Sequence, residues 1–275
     1  MPSLTEKWCQ KKALLAYYLV HRSTINSLPS CNNIISKSLI SSVNDVKDYL
    51  GISTDDFFNY AVEWSRQEEK LFTNKSNISS FYESWSGDYT KYNICANVLN
   101  QHYDTINFRI IDKYFAKSFD YSDTIIDFGC GTGTLSISFI IQELFKPNII
   151  MLDVYNDVNK FVEFRINKHN IGTRSLFHEV TSFKKSHIAS GLYCIDVLEH
   201  LENSSDIFIN NIHPMLKING LLYLKAPWRG QLTHIDEAAN NFYLGGGRAF
   251  LLKKYRLVLR AGTSDIMCIF QKKSD

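Results

Sequence analysis

Ile125-Ile126-Asp127-Phe128-Gly129-Cys130-Gly131-Thr132-Gly133-Thr134-Leu135 is an apolar run with an acid near its end, three glycines at alternate positions, and the opening of a second run. It reads as strand, tight turn and helix. Glycine lets a backbone approach a ligand with no Cβ in the way. The helix start behind the turn offers unpaired N–H groups to a negatively charged group. A dinucleotide site needs G-x-G-x-x-G. Here the third glycine falls one residue early, at Gly133, and Thr134 takes the dinucleotide position. An acid two residues ahead of the first glycine is not part of the dinucleotide pattern either. The plain alternative is a glycine-rich turn with no ligand.

Outward from this stretch the chain alternates. Strands are expected at 124–128, 148–153, 173–180, 190–196 and 220–226, with helices at 133–145, 156–168 and 204–216 between them. A helix near 247–253 precedes two last strands at 256–261 and 265–272. Such alternation predicts a mostly parallel sheet covered on both faces. Only Gly262-Thr263-Ser264 joins the final two strands. A parallel crossover needs far more chain, so this pair must be antiparallel.

Residues 1–80 read as a helical N-terminal domain, serving as substrate lid, docking module or dimerisation surface, and 81–275 as the main domain with lead-in helices. Helices are expected at 7–20, 34–40 and 43–50, and a longer one carries Phe57, Phe58, Ala61, Val62, Trp64 and Leu71. Pro29 marks a loop at 27–33, and the Asn/Ser-rich 73–80 reads as a linker. Residues 81–115 read as one or two further helices.

Composition narrows the function classes. The chain has 275 residues, 45% of them apolar, enough for a packed core. Thirty Lys+Arg against 28 Asp+Glu give a net charge of +2, which advertises neither a nucleic-acid nor an anionic-membrane partner. The six cysteines form no C-x-x-C pair, so a structural zinc site is not expected. Charged residues interrupt the first apolar residues, and no apolar run has membrane-spanning length. The expectation is a cytoplasmic protein.

The run D-F-G-C-G-T-G at 127–133 resembles motif I of the class I S-adenosylmethionine (SAM) methyltransferases. The resemblance implies an α/β, Rossmann-like, seven-stranded, mostly parallel sheet with a C-terminal antiparallel strand, preceded here by the helical N-terminal domain. It implies SAM as cofactor. Gly129, Gly131 and Gly133, with Cys130 among them, would wrap the methionine part. Asp127 would order the loop through backbone N–H groups or meet the ammonium through water. An acid ending the second strand, Asp153, can accept hydrogen bonds from ribose hydroxyls. Glu179, past the third strand, would take the adenine amino group, although the family often has Asp there. Phe81-Tyr82-Glu83-Ser84-Trp85-Ser86-Gly87-Asp88-Tyr89 resembles the aromatic segment ahead of motif I, in which a Tyr closes over the methionine end of SAM; Tyr89 is the candidate.

The string Asp196-Val197-Leu198-Glu199-His200-Leu201 resembles D-x-L-E-H-L of motif IV. Cys194 and Ile195 would lie beside SAM, and Asp196, Glu199 and His200 would face the transferred methyl group or set the loop. The spacing also resembles the E-x-x-E-H metal-binding string of ubiquinone-type and small-RNA methyltransferases, with Asp in place of the first Glu. The E-H pair occurs in metal-free relatives too, and no metal is assigned. His234-Ile235, beyond Ala226-Pro227-Trp228, resembles the substrate-side loop of family members. An imidazole titrating near neutrality suits removal of a proton from an acceptor, so His234 is the candidate base. The function expected is methyl transfer to oxygen or nitrogen of a small molecule. Tyr82, Trp85, Tyr89, Trp228, Phe242 and Tyr243 would exclude water, and a homodimer is possible. The alternatives are a methyltransferase of peptide, protein or RNA, or a non-catalytic SAM-fold subunit.

Overall fold

A computed structural model describes residues 30–73, 87–228, 234–261 and 267–275. The expected helix at 7–20, residues 74–80 of the linker expected at 73–80 and the aromatics Phe81, Tyr82 and Trp85 lie outside them, whereas Thr73 is helical.

Three long helices come first: α1 (Ser30–Leu50), α2 (Thr54–Thr73) and α3 (Asp88–Tyr103). The short α4 (Thr105–Ile111) continues as a π-helical turn, Asp112–Ala116, and delivers the chain to β1 (Thr124–Phe128). Then follow α5 (Thr134–Ile141), β2 (Asn148–Asp153), α6 (Asp157–Lys168), β3 (Ser175–Glu179) and β4 (Ala189–Ile195). A helical stretch made of α7 (Ser204–Ile207), a π-turn (Phe208–Ile212) and α8 (His213–Met215) leads into β5 (Leu216–Lys225). The chain closes with α9 (Asp236–Leu244), α10 (Gly247–Lys254), β6 (Tyr255–Arg260) and β7 (Met267–Lys272).

The seven strands form one sheet in the order β3-β2-β1-β4-β5-β7-β6. The first five are parallel, and β7 runs antiparallel between β5 and β6. This is the expected α/β sheet with helices ahead of it. Alternating residues supply both faces, as a strand's period of two requires. Ile126, Phe128, Ile150, Leu152, Leu192 and Leu222 join the core on one side. Ile125, Ile149, Met151, Tyr193 and Tyr223 join the core on the other. A third core clamps α1 to α3 onto α6 through Leu39, Val43, Phe57, Ile94, Val98, Val158 and Phe161.

Several boundaries differ from the expected ones. The helices at 34–40 and 43–50 are one helix, α1, which also takes in residues 30–33 of the expected loop. The Ser41-Ser42 pair reads as a break only while its neighbours are unknown. The Ser42 hydroxyl accepts a hydrogen bond from Arg165 Nη2 at 2.9 Å and is buried within the helix packing. Helix α5 stops at Ile141 rather than 145, because the chain turns at Glu143, φ 57°. Strand β5 begins at Leu216, four residues early: Leu216 pairs with Ala189 and Leu221 with Gly191, so extra β5 residues bulge out between them, with Asn219 at φ 66°. Among the described residues no helix is long and apolar enough to cross a membrane.

Candidate functional site

Parallel strands deliver their loops to one edge of the sheet, and ligands of open α/β sheets sit there. After β1 the chain reverses at Gly129 (φ 75°) and Gly131 (φ 54°), backbone conformations that a Cβ disfavours. Gly129 has no room for a side chain: a Cβ would meet Val197 Cγ2 at 2.2 Å. A Cβ on Gly131 would point at Gln101 Nε2 of α3, 3.4 Å away. The turn is tied to β2, since Gly129 and Cys130 both donate their N–H to the Leu152 carbonyl. Gly131 donates to Asp153 Oδ2 at 2.6 Å, and Val154 donates to Asp153 Oδ1 at 2.8 Å. Burial, opposed by these N–H groups, raises the Asp153 carboxyl to about 6.

Asp127 points the other way along β1, onto the face shared with Ile125. Its partner is not a loop N–H but the Ser136 hydroxyl of α5, 2.6 Å away, and Ser136 also meets the Tyr193 hydroxyl. Burial lifts Asp127 to about 7, the Ser136 bond opposes this, and the Asp153 charge adds to it. Asp127 thus pins α5 beneath the turn. Cys130 is buried beside it, and its thiol lies 3.8 Å from the Gly131 carbonyl.

A buried arginine braces the same turn from behind. Arg165 of α6 donates to the Thr132 carbonyl at 3.3 Å, to Thr134 Oγ1, to Ser42 and, at 2.9 Å, to Asp45 of α1. Burial would raise Asp45, but His169, Arg165 and Lys168 overcome it and hold the carboxyl at about 2. Helix α1 is therefore wired to the glycine turn through one guanidinium.

Strand β4 delivers the second cluster. Cys194 is buried at its end, and Ile195 is half-buried. Asp196 adopts φ 55° and accepts from Lys225 Nζ at 2.7 Å; the same Lys225, at the end of β5, reaches Asp104. A tight turn, Leu198–His200, then carries Glu199 into the interior. The Ile235 N–H donates to the Glu199 carbonyl at 3.2 Å, which stitches the chain ahead of α9 onto this turn and brings His234 alongside. Glu199 Oε1 lies 3.9 Å from His234 Nε2 and 4.0 Å from His200 Nε2. The two imidazoles meet edge to face, centroids 4.9 Å apart. Burial, then the Asp196 charge, push the Glu199 carboxyl well above its usual range.

The structure therefore brings Asp127, Gly129, Cys130, Gly131, Gly133 and Asp153 into one cluster, and Glu199, His200 and His234 into a second. Val197 against Gly129 joins the two. Tyr89 and Glu179 stand apart. Tyr89 lies in the first turn of α3, 37% exposed. Glu179 pairs in register with Asp153, but its carboxylate is exposed and accepts from Thr181 Oγ1. Sequence reasoning missed Lys225, Asp104, Gln101, Arg165 and Asp45. Lys225 carries one signal, a lysine ending the apolar run Leu221-Leu222-Tyr223-Leu224. Gln101, Arg165 and Asp45 lie on helices whose faces the sequence does not assign, and Asp104 is the single residue between α3 and α4.

A family model described as "Methyltransferase domain" matches residues 99–251, more than half of the chain. No curated protein matches it. Among solved structures, the chain is similar to a candidate S-adenosyl-L-methionine-dependent methyltransferase from Methanococcus maripaludis, at 18% identity over 61% of this chain and 85% of that one, TM-score 0.42. It is similar to TYW2 of P. horikoshii in complex with MeSAdo, at 10% identity over 60% of each chain, TM-score 0.40. A protein from Bordetella parapertussis described as exported aligns over 90% of this chain and 98% of its own, at 10% identity and TM-score 0.46.

Proposed function

The chain belongs to the methyltransferase domain family and is a class I SAM-dependent methyltransferase, and from that premise we propose that it methylates an oxygen or nitrogen of a small-molecule acceptor.

The residues present fit the cofactor. The glycine turn exposes backbone where a side chain would obstruct, and Gln101, whose Nε2 faces Gly131 across the turn, has its Oε1 buried with no hydrogen-bond partner. Gly129, Cys130, Gly131 and Gly133 are the residues we assign to the methionine part, and Asp153 to the ribose hydroxyls. Asp127 acts from below by fixing α5. Cys194 and Ile195 flank the turn from β4. Tyr89 and Glu179, which stand outside the two clusters, are assigned no contact here. When bound, SAM supplies an electrophilic methyl group on a sulfonium. The protein's task is alignment of the acceptor, which can be worth about 7–11 kcal/mol, and removal of a proton where the acceptor carries one.

The observation that supports a small acceptor is the enclosure of the second cluster. The Glu199, His200 and His234 side chains are 0%, 13% and 2% exposed. A folded polymer cannot bring a nucleophile to groups so enclosed without opening the fold. Trp228, Phe242 and Tyr243 pack together beyond β5, with Trp228 centroid distances of 5.2 and 5.7 Å to the other two. Within the cluster His234 takes the acceptor proton, with Glu199 and His200 holding it in place. We assign residues 30–73 to bracing the cofactor turn through Asp45 and Arg165, and to covering the acceptor side.

The test is incubation with methyl-labelled SAM against pools of phenols, catechols, amines, peptides and RNA. Label entering only the small-molecule pools supports the assignment. Label confined to peptide or RNA overturns it.

A further inference from the structure

We propose that the groove between α9, α10 and the β5–β7–β6 end of the sheet binds a ligand of the fatty-acid class, a single alkyl chain ending in a carboxylate, whatever acceptor the protein methylates.

The groove lies on the side of the sheet away from the Lys225 ion pairs. Leu224 and Ala226 line it, whereas Lys225, between them on β5, turns to Asp104 and Asp196. It encloses about 40 Å³, more than the roughly 10–15 Å³ that one water needs. Its floor is apolar: Leu224, Ala226, Trp228, Phe242, Leu251 and Phe270 are all buried. Water on that floor has no polar partner to hold it, and apolar cavities take apolar guests. The rim is apolar as well. Tyr243, Leu252 and Leu257 line the groove and yet stay 38%, 53% and 43% exposed. A large apolar side chain exposed singly needs no explanation, but three around one apolar depression mark a binding groove.

Two arginines set the charge of the ligand. Arg248 and Arg260 complete the lining, and among the described residues no carboxylate lines the groove. Arg248 stands against local preference. It lies in the first turn of α10, which holds no acid and whose cap, Gly246, makes no side-chain hydrogen bond. A helix N-terminus favours anions, so a cation there gains nothing from the helix and adds to its positive end. The guanidinium lies over the Tyr243 ring, 6.0 Å from its centroid, and so stays at the rim.

Arg260 reaches the groove through a bulge. In a regular strand, side chains three residues apart point to opposite faces. Here the β6–β7 register shifts between Leu257 and Leu259. Leu257 pairs with Phe270 and Arg260 with Cys268, both of one core, whereas Leu259 pairs with Ile269 of the other. Leu257 and Arg260 therefore share the groove face. Bulges re-aim side chains in this way. An apolar floor closed by two cations and no anion is complementary to an alkyl chain with an anionic head.

The test is calorimetric titration of the full-length chain, without SAM, using dodecanoate below its micelle concentration. Dodecyltrimethylammonium, with the head charge inverted, and acetate, with no tail, are the controls. Dodecanoate should bind saturably at one site per chain, dodecyltrimethylammonium at least about 10-fold more weakly, and acetate not at all. Arg248→Gln combined with Arg260→Gln should weaken dodecanoate by at least about 10-fold, the usual cost of losing hydrogen bonds to a charged group. Leu257→Asp, at an exposed strand position, should weaken it likewise. Melting curves that match the wild type separate loss of the site from loss of the fold, and the two control ligands test the site on the unaltered chain. No binding of dodecanoate by protein that melts cooperatively overturns the proposal. Binding that the cationic amphiphile equals, or that both sets of substitutions leave unchanged, is surfactant adsorption and overturns it as well.

Discussion

Gly131 donates its backbone N–H to Asp153 Oδ2 at 2.6 Å, so the acid that ends β2 is bound to the turn that follows β1. The two features assigned to the methionine part and to the ribose of SAM are thus one unit before any ligand arrives. A hydrogen bond to a charged group is worth about 1.5–3 kcal/mol. Asp153→Ala therefore should weaken SAM binding by roughly 10- to 100-fold while the fold persists. Calorimetric titration of that variant reads this directly, and an unchanged affinity would remove Asp153 from the site.

Gly129→Ala should destabilise the protein by about 2 kcal/mol or more, combining a disfavoured backbone with overpacking. The added Cβ would stand 2.2 Å from Val197 Cγ2. Adding Val197→Ala should restore part of the loss. Urea unfolding of the two single variants and the double variant gives the coupling, and additive losses would mean that the contact is not the cause.

Arg165→Met should cost about 3–5 kcal/mol, the usual result of removing one partner from a buried ion pair. It strands Asp45, 1% exposed, beside His169 and Lys168, and it frees the Thr132 carbonyl of the cofactor turn. The double variant Arg165→Met with Asp45→Leu should lose less than the sum of the single losses. Denaturant midpoints of the three proteins decide it.

Burial raises Asp127 to about 7 in the folded chain, against the ordinary 3.8 of an aspartate. The native state then holds this proton more tightly than the unfolded state does. Its contribution to stability is complete below about pH 4 and is lost as pH rises toward about 7. Asp127→Asn should flatten the fall in melting temperature over that window. A wild-type profile with the same slope as the variant would show that Asp127 is ionised throughout.

The sheet was legible because its strands carry their own punctuation. The five apolar runs with acids or turn residues behind them gave the parallel strands, and the short join at 262–264 required the antiparallel end. The glycine turn with Asp153 was legible for the same reason: φ requirements and strand ends are local. What escaped were relations set by helix rotation. Arg165 looks like a solvent-facing residue of an amphipathic helix until α1 covers it, and Asp45 is one of several acids on α1. Glu199 and His200 were visible as a string, but their junction with His234 depends on one backbone hydrogen bond, Ile235 to Glu199, between positions 36 residues apart, and no local pattern encodes that distance.

The most direct measurement is calorimetric titration of the full-length chain with SAM and with S-adenosylhomocysteine, alongside Asp153→Ala. The account predicts saturable binding of both ligands at one site per chain, weakened by the substitution. Absence of binding by either ligand at high micromolar concentration, in protein that melts cooperatively, would contradict it.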